Sequence, residues 1–556
     1  MASAQAINTS PMVACAFNYK AERTKTMSSI RACFVSESFT VSCRSSVRSS
    51  WRASLSWQMR HDTVPWRTLR SCMCTLTPLS PSLTKPHKDK DSVRKSLPIS
   101  SAELEEAQLG YNNTTAIEEL QGRIQRKLAK KDLEPMEGLM LIDTLQRLGI
   151  AYYFDEEIDS LLEKPADGCK IGNDLSQTAL LFSYNIFGEF TKNGRFRESL
   201  SQDVWGVLSL YEASYMGGEN EDILSQAMKF TKTHLTQALS NMAPKPAERM
   251  RGALELPRHH RMDRLEARTY IDEYGREING SPEILQLAKL DFNRVQSLHQ
   301  SELNEIIRWW KDLGLIDNLR FARDRPLECF LWSVGIFPEP QHSRCRIELT
   351  KTIAILLVID DVFDSYGSLD ELILFNDAIK RWDLSAMEKL PQYMKICYMA
   401  LYNTTNDIGF RILKRHGLSV VSHLKRTINE QTIKMMEPYP KLFSCAGRIL
   451  RLWDDLGTAK EEQERGDVAS SMECHMRENN ISSDSEAREH VRQLIQSLWR
   501  ELNGELVTST GLPLSTVKAC FNVSRTSRVI YQHGDDDKAS GVEDHVNSLL
   551  FRPITH

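Results

Sequence analysis

Asp360, Asp361 and Asp364 stand directly behind the apolar run Ile353-Ala-Ile-Leu-Leu-Val-Ile359. Carboxylates delivered at the end of a buried segment are costly unless something cationic meets them. In a helix Asp360 and Asp364 are i and i+4 and share a face; hard oxygen ligands so placed suit octahedral Mg²⁺ or Mn²⁺ shared with a substrate phosphate. Taken alone, the cluster reads better as a solvated acidic helix end. A second cluster changes that weighting. In Asp454-Asp-Leu-Gly-Thr458-Ala-Lys-Glu-Glu462 one helical face carries carboxylate, hydroxyl and carboxylate at i, i+4 and i+8, and a merely solvated face has no reason to set Thr458 between two acids. Together the clusters point to a metal-diphosphate site with Asp360, Asp364, Asp454, Thr458 and Glu462 as candidate ligands. Asp361 carries no assigned role.

A metal-held diphosphate keeps excess negative charge and needs cationic donors as it leaves, work that the forked guanidinium of arginine does better than lysine. Arg323-Asp-Arg325 precedes the first cluster by one helix and a loop, and Arg451 lies one turn before Asp454 on the same face. Arg323 and Arg451 are the candidates. Arg325 is equally placed to pair with Asp324 or Glu328, and Arg448 to lie on the surface.

The elements that must hold these groups are helices. Leu141, Leu145 and Leu148 close on Gly149; Leu303, Ile306, Ile307, Trp310 and Leu313 close on Gly314; Ser483 and Glu486 form a capping box ahead of Ala487, Val491, Leu494, Leu498 and Leu502. These stripes read as core. The one serious strand candidate is Ile353 to Ile359, and the helical pattern around it favours a fully buried helix. An all-α chain is expected, with a domain boundary near Ser281 to Pro282.

The 556 residues, 41% of them hydrophobic, suffice for two helical cores. A net charge of −4 with interspersed charges supplies no field for nucleic acid, and no apolar run is long enough to span a membrane. The 12 cysteines are scattered without paired spacing for zinc or redox work, so they read as reduced thiols, mostly buried. Residues 1–85 differ from the rest: rich in Ser and Arg, with Glu22, Glu37 and Asp62 as their acids and no long apolar stretch. That is the profile of an organelle transit peptide, with plastid favoured over mitochondrion and a disordered tail without an address as the bland alternative. Pro78 to Pro86 reads as a linker, and a start at Met27 or Met59 would favour the cytosol.

In order and spacing these residues resemble the plant class I terpene synthases: Arg323-Asp-Arg325 as the RxR motif, Asp360 to Asp364 as the aspartate-rich motif, Asp454 to Glu462 as the (N/D)DxxTxxxE motif. Leu256-Pro-Arg-His-His-Arg-Met-Asp-Arg-Leu-Glu-Ala-Arg268, Trp332 to Gly335, Glu464 to Asp467 and Tyr531 to Asp535 resemble family stretches too, so the similarity covers roughly residues 100 to 556. It implies an N-terminal helical barrel (100–281) without chemistry of its own and a C-terminal helical bundle (282–556) that holds three Mg²⁺ ions. Carried over by position, the five oxygen side chains would be metal ligands and Arg323 and Arg451 would contact the diphosphate. Trp332, Phe363 and Tyr531 are candidates for stabilising a cation, each otherwise plain packing.

Departures from the pattern carry information. The paired arginines followed by tryptophan near the start of many cyclising relatives are missing between Arg94 and Gly110, which implies an acyclic product quenched by water and resembles the linalool and nerolidol synthase subgroup. The segment Gly541 to Arg552 resembles that subgroup as well. Ser470 stands where many relatives carry lysine, and Asp454 where many carry asparagine. No DxDD sequence supports protonation-initiated cyclisation, and the second cluster lacks the DDxxD form of a chain-elongating prenyltransferase. The expected activity is ionisation of geranyl or farnesyl diphosphate by a monomer, with water captured at C3. The alternatives are a cyclising mono- or sesquiterpene synthase and, from another class, an inactive helical partner that binds prenyl diphosphates.

Overall fold

The computed structural model describes residues 101–130, 133–162, 191–192, 195–219, 221–277, 280–421, 440–465, 471–481, 483–507, 512–531 and 542–555. The proposed transit segment and linker, Ser470 and the Gln532 to Asp535 stretch lie outside them. The fold is all-α; the sheet among the described residues is one antiparallel pair, Thr191–Lys192 with Arg195–Phe196.

The chain opens with α1 (Ser101–Leu128), α2 (Pro135–Arg147) and α3 (Asp155–Leu162), followed beyond the small hairpin by α4 (Val204–Ser214), α5 (Asp222–Ala238), α6 (Pro244–Glu255) and α7 (Asp263–Tyr274). Val207, Leu210, Tyr211, Leu224, Leu235 and Met250 give α4 to α6 a core of their own. Then comes α8 (Pro282–Leu313), begun by a proline at its first turn and ended by Gly314 at φ 58°. The glycine expected to close α2 also turns left-handed, at φ 72°. One hydrophobic cluster has members on both sides of residue 282: Leu120, Ile124, Leu145 and Phe154 pack with Leu287, Phe292, Phe330, Val529 and Leu550. The earliest helices therefore bury their apolar faces against the C-terminal half.

The site is carried by later helices: α9 (Pro326–Ile336), α10 (Ser343–Asp361), α11 (Leu369–Arg381), α12 (Gln392–His416), α13 (Lys441–Arg465), α14 (Ser471–Asn479), α15 (Asp484–Val507) and α16 (Leu514–Tyr531). Ile353 to Ile359 is helical, as expected, because Ala354, Ile355, Leu356, Val358 and Ile359 are buried around several faces and meet α11 and α12. The fully buried Arg346 fixes the register of α10: it grips Glu302 of α8 at 2.7 and 2.8 Å and donates to the carbonyls of Phe337 and Glu339 at 2.8 and 2.6 Å. Such a pair is costly to break from one side, since the survivor is left buried and charged. Ser483 accepts from the Glu486 amide at 3.4 Å ahead of α15, while a full capping box that the sequence reading missed, Ser368 with Glu371, opens α11. Cys329, Cys397, Cys445 and Cys520 are buried, and Cys345 and Cys474 are half-buried. Among the described residues no helix is long and apolar enough to cross a membrane.

Candidate active site

At the first cluster the α-helical ladder of α10 stops at Asp361, and Val362–Tyr366 forms a π-helical turn closed by a 2.7 Å bond from the Gly367 amide to the Val362 carbonyl. The i and i+4 positions read from the sequence thus fall on either side of the change from α-helical to π-helical backbone. Asp360 ends a regular helix, whereas Asp364 sits in a wider turn of the kind that recurs at functional sites. Glycine is needed at 367, because a Cβ there would stand 2.9 Å from the Val362 carbonyl oxygen. Asp360 is half-buried, with one carboxylate oxygen shielded from solvent. The helix C-terminus adds its own partial negative charge, so the position calls for a cation.

One cation present is Arg323. Its Nε lies 2.7 Å from Asp361 Oδ1, and its amide donates to Asp361 Oδ2 at 3.1 Å. Asp361, left without a role in the sequence reading, thus ties the arginine-bearing turn to the end of α10. Arg325 pairs with Glu328 at 3.3 Å, both half-exposed, and Asp324 accepts from the Trp310 indole at 2.9 Å.

The second cluster lies within the regular helix α13. Thr458 donates its hydroxyl to the Asp454 carbonyl at 2.7 Å, which leaves the hydroxyl oxygen able to accept or ligate. Arg451 reaches Asp454 Oδ2 at 3.2 Å and Asp455 Oδ1 at 2.7 Å. The side chains of Asp364 and Glu462 lie outside the described ones, and among the rest no three His, Cys, Asp or Glu side chains form a metal-binding group.

Tyr531, at the end of α16, draws the two sides together. Burial, then the negative charge of the Asp454 carboxylate and its hydrogen bond to the phenol, push Tyr531 well above its ordinary range; the charges of Arg451 and Arg323 pull the other way. Phenol, carboxylate and both arginines therefore share one neighbourhood. The close approach of α13 to α16 depends on Gly457, where a Cβ would lie 2.8 Å from the Tyr531 carbonyl oxygen. The Trp332 ring stands 6.1 Å from that of Tyr531, while Phe363 turns to Phe375 in an interior cluster. Of the aromatic candidates, Tyr531 stands beside an acid of the second cluster and Trp332 stands next to Tyr531.

The donor set fits a hard divalent cation: carboxylates and a hydroxyl, with an arginine beside each cluster. Residues 90–254 match the family model for the terpene synthase N-terminal domain, and residues 311–431 and 420–501 match the metal binding domain of the terpene synthase family. The chain belongs to the terpene synthase family. It is 55% identical to the probable terpene synthase 11 of Ricinus communis over 79% of this chain and 87% of that one. With the geraniol synthase and the R-linalool synthase of Ocimum basilicum, both chloroplastic, it shares 47% and 44% identity, each over 77% of this chain and 85% of the relative. Among solved structures, grey poplar isoprene synthase in complex with three Mg²⁺ ions and dimethylallyl-S-thiolodiphosphate is 32% identical, with a TM-score of 0.73 over 80% of this chain and 97% of that one. A limonene synthase with 2-fluorolinalyl diphosphate is 30% identical, with a TM-score of 0.74 over 80% and 95%.

Proposed function

We propose that this protein ionises geranyl diphosphate in a divalent-metal-dependent reaction and adds water at C3 to give linalool, with (E)-nerolidol formed from farnesyl diphosphate. The observation that carries this reading is an arginine seated at each acid cluster, Arg323 on Asp361 and Arg451 on Asp454 and Asp455. It is supported by the similarity to an R-linalool synthase and by the missing arginine pair near the start of the chain.

Asp360, Asp364, Asp454, Thr458 and Glu462 would hold Mg²⁺, three ions by likeness to the isoprene synthase complex, with Mn²⁺ as a substitute. The metal supplies Lewis-acid stabilisation of the departing diphosphate. Arg323 and Arg451 would donate to the diphosphate oxygens as the allylic C1–O bond breaks and its electron pair leaves with the diphosphate. Trp332 and Tyr531 would present ring faces to the allylic cation, and a water that attacks C3 would give up its proton to the released diphosphate. Plastid import of residues 1–85 would place the enzyme with geranyl diphosphate, in keeping with the chloroplastic relatives. Residues 100–281 would form the N-terminal domain and 282–556 the catalytic one, in a monomer.

The test is incubation of the purified protein with geranyl or farnesyl diphosphate, with Mg²⁺ and then with chelator, and chiral gas chromatography of the volatiles. Linalool and nerolidol that disappear with chelator are expected. Geraniol would move the water attack to C1, cyclic olefins would overturn the acyclic assignment, and a folded protein without metal-dependent turnover would overturn the enzyme.

A further inference from the structure

Asp455 sits one residue beyond a candidate ligand and is itself 2% exposed. A carboxylate so buried loses its hydration and is costly unless other groups partner it. Its partners come from two directions. Oδ1 forms an ion pair with Arg451 Nη2 at 2.7 Å, one turn back on the same helix, close in charge but without hydrogen-bond alignment. Oδ2 accepts from the Ser471 amide at 3.0 Å and from the Ser471 hydroxyl, at the first residue of α14. That amide is one of the donors that a helix start leaves without an intrahelical acceptor. Asp455 therefore binds the beginning of α14 to the middle of α13 and holds one arm of a guanidinium at the same time.

The other arm of Arg451, Nη1, lies 3.2 Å from Asp454 Oδ2. A single guanidinium thus spans the two acids, and they are not equivalent. Asp454 is half-buried beside the Tyr531 phenol; Asp455 is buried, with an ion pair on one oxygen and the Ser471 hydrogen bonds on the other. We infer that Asp455 is a positioning residue: its charge holds the Nη2 side of Arg451 in an ion pair, which would leave Nη1 to serve a diphosphate where Asp454 serves as a metal ligand. Without the Asp455 charge the guanidinium has Asp454 as its nearest carboxylate, and arginine and metal compete for the same oxygens. The loss then falls on affinity for the charged leaving group as well as on turnover. This inference rests on the metal-diphosphate reading of the site.

The test uses the whole chain and inorganic pyrophosphate with Mg²⁺, followed by titration calorimetry. Asp455→Asn keeps the shape and the acceptor for Ser471 but removes the charge. Pyrophosphate affinity is expected to fall about tenfold, with a matching rise in KM for geranyl diphosphate and a smaller fall in kcat. In an Arg451→Ala background the same substitution should have no further effect on pyrophosphate affinity, which a purely structural role would not produce. Equal affinity of Asp455→Asn and wild type, or equal losses in both backgrounds, overturns the inference. Should Asp455→Asn fail to fold, Ser471→Ala decides: about a threefold loss of affinity with an unchanged melting temperature is expected, and no change overturns the role. Absence of Mg²⁺-dependent pyrophosphate binding by the wild type would remove the metal-diphosphate reading and this one with it, whereas normal wild-type binding with an unaffected variant removes only this one.

Discussion

The two acid clusters are built differently. The first is delivered by the end of a buried helix that loosens into a π-turn, and its arginine arrives from a distant turn, Arg323 to Asp361. The second lies inside a regular helix, where Arg451, Asp454, Asp455 and Thr458 are placed by the helical repeat alone. In both, the second acid of the pair takes an arginine. The lesson is that equivalent chemistry can be reached through tertiary contact on one side and local periodicity on the other. The first side should then be the more sensitive to changes in packing.

The largest effect should come from the ligands themselves. Asp360→Ala is expected to lower kcat/KM by about 10³, several kcal/mol of metal-derived stabilisation, and Asp454→Ala by a similar factor. Asp360→Ala should leave the thermal midpoint unchanged or raised, since it removes a part-buried carboxylate from a helix C-terminus, whereas Asp454→Ala should lower it by a few degrees, because Arg451 and the Tyr531 phenol lose a partner. Steady-state kinetics beside calorimetric melting checks this, and a collapse of the fold in either variant would show that the acid is structural.

Next, Arg323→Lys and Arg451→Lys should each cost about 10-fold to 100-fold in turnover, because an ammonium cannot fork. The loss should be greater for Arg323, whose guanidinium also links two separate elements. Equal losses would mean that the distant origin of Arg323 is irrelevant.

The glycines offer a finer comparison. Gly457→Ala drives a methyl into the Tyr531 backbone, and Gly367→Ala drives one into the Val362 carbonyl and the Leu372 side chain. Each should cost about 2 kcal/mol of stability by overpacking. Gly367→Ala should lose more activity per unit of stability, because it acts on the turn that carries Asp364. Denaturant titration paired with kinetics measures that ratio.

The smallest effect concerns pH. The α16 side of the site is tied to the N-terminal half, through Arg525 to the His259 carbonyl at 2.8 Å and His259 to Asn503 at 2.8 Å. Burial first, and the Arg525 charge second, hold the His259 imidazole down at about 3, against 6.5 in an open chain. A depressed histidine means that the unfolded chain binds the proton more readily. The stability it contributes is present above pH 6.5 and is lost as pH falls toward 3. Hydrogen exchange at falling pH should therefore show α16 loosening before α10. Simultaneous loss would show that the seam does not set the local stability of that side.

Much of this was legible in the residues. The stripes of α2, α8 and α15, the two glycine stops and the buried helix over Ile353 to Ile359 follow from periodicity and from the rarity of left-handed backbone outside glycine. Arg451 with Asp455 could also have been seen, since i and i+4 on a helix must meet. The Arg323–Asp361 pair could not, because 38 residues separate its partners and no local rule joins them. Nor could Ser471 with Asp455, or the dependence of the Tyr531–Asp454 contact on Gly457.

The sequence by itself determined which chemistry was available: hard oxygen ligands in two helical clusters and arginines near each. These are properties of residue type and of a 3.6-residue repeat. Tertiary structure decided where the helix of the first cluster stops being an α-helix, that Arg323 meets Asp361, and that the Tyr531 phenol comes to lie beside Asp454. Those outcomes depend on how closely α10, α13 and α16 can pack, and packing is a property of surfaces that no single segment contains.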